Sequence, residues 1–401
     1  MRHEVDANLA AAVKPAASRA VAGATLAFGV SFAVWGSIAA LAPIFRARLG
    51  LTQTEVGLLI AVPVLVGSLA RLGFGLAADR AGPRRVLLAL LAALVGAVAL
   101  ASAADGYGAL LAAGALVGIA GATFAVGAPI VVRSVAAERR GLALGVYGIG
   151  NAGTAVAVLV LPRIAAATGP ERALLAFVPL LLATIVIVLV TVPRDTPSAA
   201  AAGGWRVFLG RPDAWVLALF YVVTFGGFVA TSSYLPTLLV TLYGLDPADA
   251  GARAAGFVLF ATVARLAGGA LADRFGGSVV LNGSFIAVAI LAISLAFEPS
   301  LEVITVPFLA IALALGVGNG AVFQVVGTRF AQNAGAVTGL VGTAGGLGGF
   351  FPPLLLGAVR DLTGSYAIAF MLLSELALAC LIVNVLALQQ RAAAFAAAER
   401  R

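Results

Sequence analysis

The sequence predicts an all-α membrane protein: twelve transmembrane helices in two pseudo-symmetric six-helix halves. Three observations predict it. Of the 401 residues, 62% are hydrophobic and 10% charged, against about 45–50% and about 25% in soluble domains. Apolar runs of about 20 residues recur from end to end, the length that crosses a bilayer as a helix. And one pattern returns: VLVGSLARLGFGLAADRAGPRR (64–85) reappears 194 residues later as VARLAGGALADRFGG (263–277), so that Arg71 matches Arg265, Asp79 matches Asp273 and Arg80 matches Arg274. A very large soluble core does not account for such runs, because core helices are rarely apolar all round.

Residues 1–23 are polar and basic, with no cleavage site before the first apolar run, and read as a cytoplasmic tail. Spans are expected at about 24–46, 54–78, 85–104, 107–131, 141–164 and 171–192, which form the first bundle (24–192). Residues 193–212 are the longest polar connection, and their Pro, Gly and Ser mark a cytoplasmic linker. The second bundle (213–389) is expected to hold spans at about 213–241, 251–271, 278–297, 302–326, 335–358 and 366–389, followed by a cytoplasmic tail, 390–401. With the N-terminus inside, 17 Lys and Arg fall on the inner side, 6 on the outer, and Arg71 and Arg265 within spans. That asymmetry places both termini in the cytoplasm of a multi-pass protein of the inner (cytoplasmic) membrane. It also accounts for the net charge of +8 without a nucleic-acid partner.

Several function classes are excluded by counting. With one cysteine, Cys380, and one histidine, His3, the chain cannot build a disulfide framework, a zinc cluster or a Ser-His-Asp triad in the membrane. No Gly-Lys-Ser/Thr follows the glycine runs, so no phosphate-binding loop is expected. The reading is therefore not an enzyme, without cofactor or metal, and driven by gradients rather than ATP. An anion sensor would need a signalling appendage, and the linker and the tail RAAAFAAAERR are too short for one.

The informative residues are the two arginines. Each costs at least about 2.5–3.5 kcal/mol near the bilayer centre, so something must offset that cost twice. No Asp or Glu lies well inside spans 1, 2, 4, 5, 7, 8, 10 or 11; Glu375, in span 12, is the one deep carboxylate. One reading ties each arginine to a backbone carbonyl as a structural pair. The functional reading turns both to a water-accessible cavity where they bind an anion, since a guanidinium offers paired donors matching a planar oxyanion. Two such charges roughly 7 Å apart repel by about 2.4 kcal/mol at an effective dielectric near 20. An empty site would then resist closing and a bound anion would permit it, which favours exchange.

Small residues flank both: Gly67, Ser68 and Gly75 near Arg71, and Ala261, Thr262, Gly268 and Gly269 near Arg265. Span 5 places Gly141, Gly145 and Gly148 where span 11 places Gly335, Gly339 and Gly342, a stripe that lets another helix approach closely. The polar cluster Asp79, Arg80, Arg84 and Arg85, with its copy Asp273 and Arg274, reads as cytoplasmic gating or structural residues that bridge the halves.

Three longer stretches carry a family resemblance: GATFAVGAPIVVRSVAAERRGLALGVYGIGNAGTAVAVLVLPRIA (121–165), GVGNGAVFQVVGTRF (316–330) and GAVTGLVGTAGGLGGFFPPLLLGA (335–358). They resemble the nitrate signatures of the nitrate/nitrite porter (NarK-like) family of the major facilitator superfamily. The DRAGPRR turn resembles that superfamily's loop motif, and SFAVWGSIAALAPIFRARLGLT (31–52) is similar to the family's first span. The resemblance implies the major facilitator fold and a secondary transporter of nitrate or nitrite, working by alternating access as a single chain in lipid. It implies that Arg71 and Arg265 bind the substrate and that Tyr221 hydrogen-bonds it. Asn151 and Asn319 are then the signature asparagines near the pathway, Phe124, Phe225 and Phe323 wall the site, and Phe32 is a weaker candidate of that kind. It leaves open nitrate/nitrite exchange, nitrate/proton symport with protons as co-substrate, and another small anion such as formate.

Overall fold

The computed structural model describes residues 15–136, 140–195, 210–330 and 334–389, and regular structure among them is helical throughout. Among the described residues, twelve helices are long and apolar enough to cross a membrane. They are α1 (Ala17–Leu49), α2 (Gln53–Ala81), α3 (Pro83–Ser102), α4 (Tyr107–Ser134), α5 (Ala143–Thr168), α6 (Pro170–Thr191), α7 (Pro212–Tyr243), α8 (Pro247–Phe275), α9 (Gly277–Ala296), α10 (Leu301–Arg329), α11 (Val337–Thr363) and α12 (Ala367–Ala387). Each expected span has its counterpart. The two tails before residue 15 and after 389, His3 and linker residues 196–209 lie outside the described residues.

Several helices outrun their apolar stretches. Asp79 and Arg80, read as part of a turn, are still helical in the last turn of α2, as are Asp273 and Arg274 in α8. The turns themselves fall at Gly82 and Gly276, with φ of 95° and 88°. Those left-handed values suit glycine and stop the helix. α3 then starts with Pro83 in the first helical position, where its missing N–H costs nothing.

The loops after odd-numbered helices define one end of the bundle, and those after even-numbered helices the other. At the odd end the halves touch. Backbones of α2 and α11 press together at Gly57 against Pro353 and at Gly357 against Gln53, and α8 meets α5 at Gly251 against Val158. The Gln53 side chain bonds the hydroxyls of Thr241 (3.1 Å) and Tyr234 (3.3 Å) of α7.

The start of α2 completes this closure. A helix begins with four amides lacking intrahelical acceptors. Thr52 N donates to Glu55 Oε2 (2.9 Å) and Glu55 N to Thr52 Oγ1 (3.2 Å), a capping box. The two between them are met from the other half: Gln53 N donates to Asp361 Oδ1 (3.0 Å) and Thr54 N to Asp361 Oδ2 (2.7 Å). The Thr54 hydroxyl donates to the same carboxylate at 2.6 Å. Hydrogen bonds to a charged group contribute about 1.5–3 kcal/mol. Asp361→Ala is therefore expected to shift the closed-to-open ratio at this end by roughly 10- to 150-fold. The check is maleimide labelling, from the face bearing Asp361, of Ser232→Cys in a Cys380→Ser background. An unchanged labelling rate would refute the latch.

At the even end two polar contacts between described residues each lie within one half. Asp195, just past α6, accepts from the backbone amides of Arg84 and Arg85, both at 3.0 Å, and Arg329 of α10 pairs with Asp213 of α7 at 3.4 Å.

Candidate functional site

The two arginines approach one aromatic cluster. Arg265 of α8 donates from Nη2 to the Tyr221 hydroxyl at 3.4 Å, and its guanidinium carbon lies 5.0 Å from the centroid of the Phe323 ring. Arg71 of α2 places its guanidinium carbon 5.7 Å from the Phe225 centroid. Tyr221 stacks parallel on Phe225 (4.9 Å, 1°), the ring that Arg71 approaches, and meets Phe323 edge-on (5.0 Å, 72°). Cation–ring contacts of this kind contribute about 0.5–2 kcal/mol.

Local irregularity builds this geometry. In α7 the turn Val222–Gly226 is π-helical and starts immediately after Tyr221. Such a bulge resets which face the following residues present, and it often marks a functional site. Tight 3-10 turns interrupt α4 at Ile119–Ala122 and α5 at Ile149–Ala152, beside Arg71's carbonyl partner and at Asn151. Glycine supplies the room. Gly67 and Gly121 bring α2 against α4, while Gly316 and Gly320 press α10 onto the backbone of α8 at Ala261 and Arg265. Gly345 and Gly346 of α11 lie directly against the Tyr221 ring and against Ser68 and Arg71.

Arg71 is enclosed, with 6% of its surface exposed, whereas Arg265 is half-buried. Its partners are backbone carbonyls on opposite sides: Nε donates to Gly121 O of α4 (3.0 Å) and Nη1 to Gly342 O of α11 (2.9 Å). The same side chain therefore ties the two halves together. Those two bonds use two of the five guanidinium N–H donors, leaving three for a ligand.

The other expected residues distribute around this centre. Phe124 packs 5.9 Å from Tyr147 and 5.6 Å from Phe28 on the first-half side of Arg71. Asn319 is buried one turn from Phe323 on α10, and its Oδ1 has no hydrogen-bond partner in the structure. Asn151 donates to Gly148 O (3.1 Å) and lines a small cavity with Phe32, Trp35, Thr154, Phe228 and Ser232. Phe32 thus shares Asn151's cavity on the odd-end side.

Sequence reasoning missed Tyr147, fully buried and stacked on Phe28 (4.8 Å), whose hydroxyl donates to Thr123 O at 2.8 Å. The repeat gave no signal for Tyr147, whose counterpart 194 positions on is Val341, but it gave one for its stacking partner Phe28. Gly150 lies against Phe28 as Gly345 lies against Tyr221, and those glycines are 195 positions apart, those rings 193.

Glu375 is exposed on α12 among Met371, Leu372 and Leu378, on the face opposite the helix's buried residues. Of the expected gate residues, Asp79, Arg80, Asp273 and Arg274 are exposed, with Arg274 packed 5.1 Å over Phe275. Arg84 and Arg85 are held within the first half by Asp195, and Arg84 Nη2 also donates to Leu189 O (2.8 Å). Asp195 caps α3 from a distance, since Gly82 has no side chain to do so. Asp195→Ala is expected to cost about 0.5–2 kcal/mol of stability, read as an earlier thermal unfolding transition.

Comparison with known proteins agrees with the fold and the motifs. Residues 24–353 match the family model of the Major Facilitator Superfamily. The chain is 37% identical to the "Nitrite extrusion protein" of Bacillus subtilis, over 90% of this chain and 92% of that one. It is 39% identical to the "Probable nitrate/nitrite transporter NarK2" of Mycobacterium tuberculosis, over 87% and 91%. Among solved structures, the human organic anion transporter MFSD10 (TETRAN) superposes with a TM-score of 0.69 at 18% identity, covering 92% of this chain and all of that one. A bacterial homologue of the lysosomal transporter Spinster gives 0.67 at 18%, covering 93% and 95%. The chain belongs to the major facilitator superfamily and, within it, to the nitrate/nitrite porter (NarK-like) family.

Proposed function

We propose that this protein carries nitrate and nitrite across the cytoplasmic membrane by rocking its two halves about an anion held between Arg71 and Arg265. The observation that carries this reading is that two arginines, one from each half, meet one stack of aromatic rings, Arg265 at Tyr221 and Phe323 and Arg71 at Phe225. Among the described residues neither arginine has a carboxylate partner within 4.0 Å, so an anion is the charge the pair lacks. A planar oxyanion fits the remaining in-plane donors, and the phenylalanines strip its water. The relatives named for nitrite extrusion and nitrate/nitrite transport supply the choice of anion.

The charge asymmetry of the loops puts the even end in the cytoplasm. This conformation is then latched on the outside by Asp361. Asp79, Arg80, Arg84, Arg85, Asp273 and Arg274 belong to the opposite gate and approach one another when the inner side closes. Two bare guanidinium charges oppose that closure, and a monovalent anion offsets one of them. The return step therefore needs cargo, and the mode is exchange of nitrate for nitrite.

The test is counterflow in proteoliposomes. With nitrite inside and no pH gradient, labelled nitrate is expected to enter at least about tenfold faster than into empty vesicles. Uptake that ignores internal nitrite and follows an imposed proton gradient would replace exchange with symport.

A further inference from the structure

Tyr147 of α5 carries a hydroxyl that its packing does not require. The ring is fully buried, stacks on Phe28 (4.8 Å) and lies 5.9 Å from Phe124. A phenylalanine would make the same contacts. Burying the hydroxyl costs free energy unless it finds a partner. It finds the backbone of α4, where its one proton is shared between Thr123 O at 2.8 Å and Phe124 O at 3.2 Å. A carbonyl oxygen has two lone pairs, so this bond adds to the helix ladder without displacing it. Gly127 permits the approach, since a side-chain carbon there would come within 3.0 Å of the hydroxyl oxygen.

The bond falls between two irregular turns. In α4 the 3-10 turn Ile119–Ala122 ends just before Thr123, and in α5 the 3-10 turn Ile149–Ala152 begins just beyond Tyr147. A 3-10 turn inside an α-helix has poorer hydrogen bonds and can relax by a shift of register. Such a shift re-aims the carbonyls within it. One of them is Gly121 O, which accepts from Arg71 Nε at 3.0 Å and, with Gly342 O on the other side, sets the plane of the guanidinium. The second half is built differently. Val341 stands at the position matching Tyr147, and Arg265 bonds a side chain, that of Tyr221.

We propose that Tyr147 is a positioning residue for anion selection. By pinning α4 just past its 3-10 turn, it fixes the Gly121 carbonyl, and through it the plane in which Arg71 presents its remaining donors. The inference rests on Arg71 as an anion ligand. A planar oxyanion gains from donors held in one plane, and a spherical ion of the same charge does not. Tyr147 therefore favours nitrate over chloride without touching either.

The experiment measures nitrate uptake kinetics in proteoliposomes, displacement of bound nitrate by chloride, and thermal unfolding, on wild type, Tyr147→Phe and Arg71→Lys. Phenylalanine keeps the ring contacts and removes the one bond. It is expected to raise the nitrate KM by roughly 2- to 10-fold, the weight of one hydrogen bond, with kcat within about twofold of wild type. The preference for nitrate over chloride is expected to fall by the same factor. Gly127→Ala, whose methyl group would crowd the hydroxyl, is expected to move both quantities in the same direction. A tyrosine that only supports the fold would lower the unfolding temperature and the number of working transporters, leaving KM and the preference alone. That outcome in Tyr147→Phe overturns the proposal. A preference lost in Arg71→Lys but kept in Tyr147→Phe overturns it while sparing the reading of Arg71. A wild type that binds chloride as well as nitrate overturns both.

Discussion

Replacing either arginine by lysine is expected to lower nitrate transport at least about 100-fold, the loss of about one strong charge-assisted contact. Arg71 shows why charge alone does not suffice. Its Nε and Nη1 reach carbonyls on α4 and α11, and the plane of the group still leaves donors on its other edges. An ammonium has three donors on one nitrogen. Serving Gly121 and Gly342 together would leave it a single donor for an anion and no planar edge. Arg265 depends on the same flat shape to lie over Phe323 while meeting Tyr221. The variants should still insert and fold, since a cation is retained at the same depth. The checks are thermal unfolding and nitrate binding alongside transport. Transport near the wild-type rate in either variant would remove the arginines from the site.

The second large effect is expected from a single methyl group. At Gly345, a side-chain carbon would come within 3.0 Å of the Tyr221 ring, nearer than such atoms approach. The ring has nowhere to go: Phe225 covers one face, Phe323 meets its edge and Arg265 holds its hydroxyl. Overpacking of this kind typically costs 1–3 kcal/mol, and here the displaced group is the tyrosine that Arg265 holds. Gly345→Ala is therefore expected to cut transport by roughly 5- to 150-fold. Gly339→Ala, on the same helix, has open space at the corresponding point and is expected to transport normally. If both variants behaved alike, the close fit of Gly345 to Tyr221 would have no functional meaning.

Much of this was legible in the sequence because lipid is a demanding solvent. Twelve apolar stretches had to be helices, and a lone arginine in such a stretch had to have a use. The repeat suggested pairing Arg71 with Arg265, and their side chains lie against neighbouring rings of one stack, Phe225 and Tyr221. What stayed hidden has physical causes. Gly121 and Gly342 serve Arg71 through backbone oxygens, which every residue has and no sequence advertises. The π-helical turn after Tyr221 is a shift of hydrogen-bond register, invisible in residue type. In sequence, Asp195 and Asp361 are ordinary charges near helix ends. Their role depends on segments distant along the chain: Asp361 acts on residues 307 and 308 positions away. Tyr147 was masked by its glycine-rich surroundings, where small residues draw attention from the ring they accommodate.

The capping of α2 makes that helix a clock. Four amides open it, and two of them, Thr52 and Glu55, take their acceptors from their own turn whatever the halves do. The amides of Gln53 and Thr54 lose theirs whenever Asp361 moves away. Hydrogen–deuterium exchange at these two positions, normalised to the two beside them, therefore records the fraction of time the transporter stands open on that side. Four consecutive residues supply both the signal and its internal reference, with no label attached to the protein.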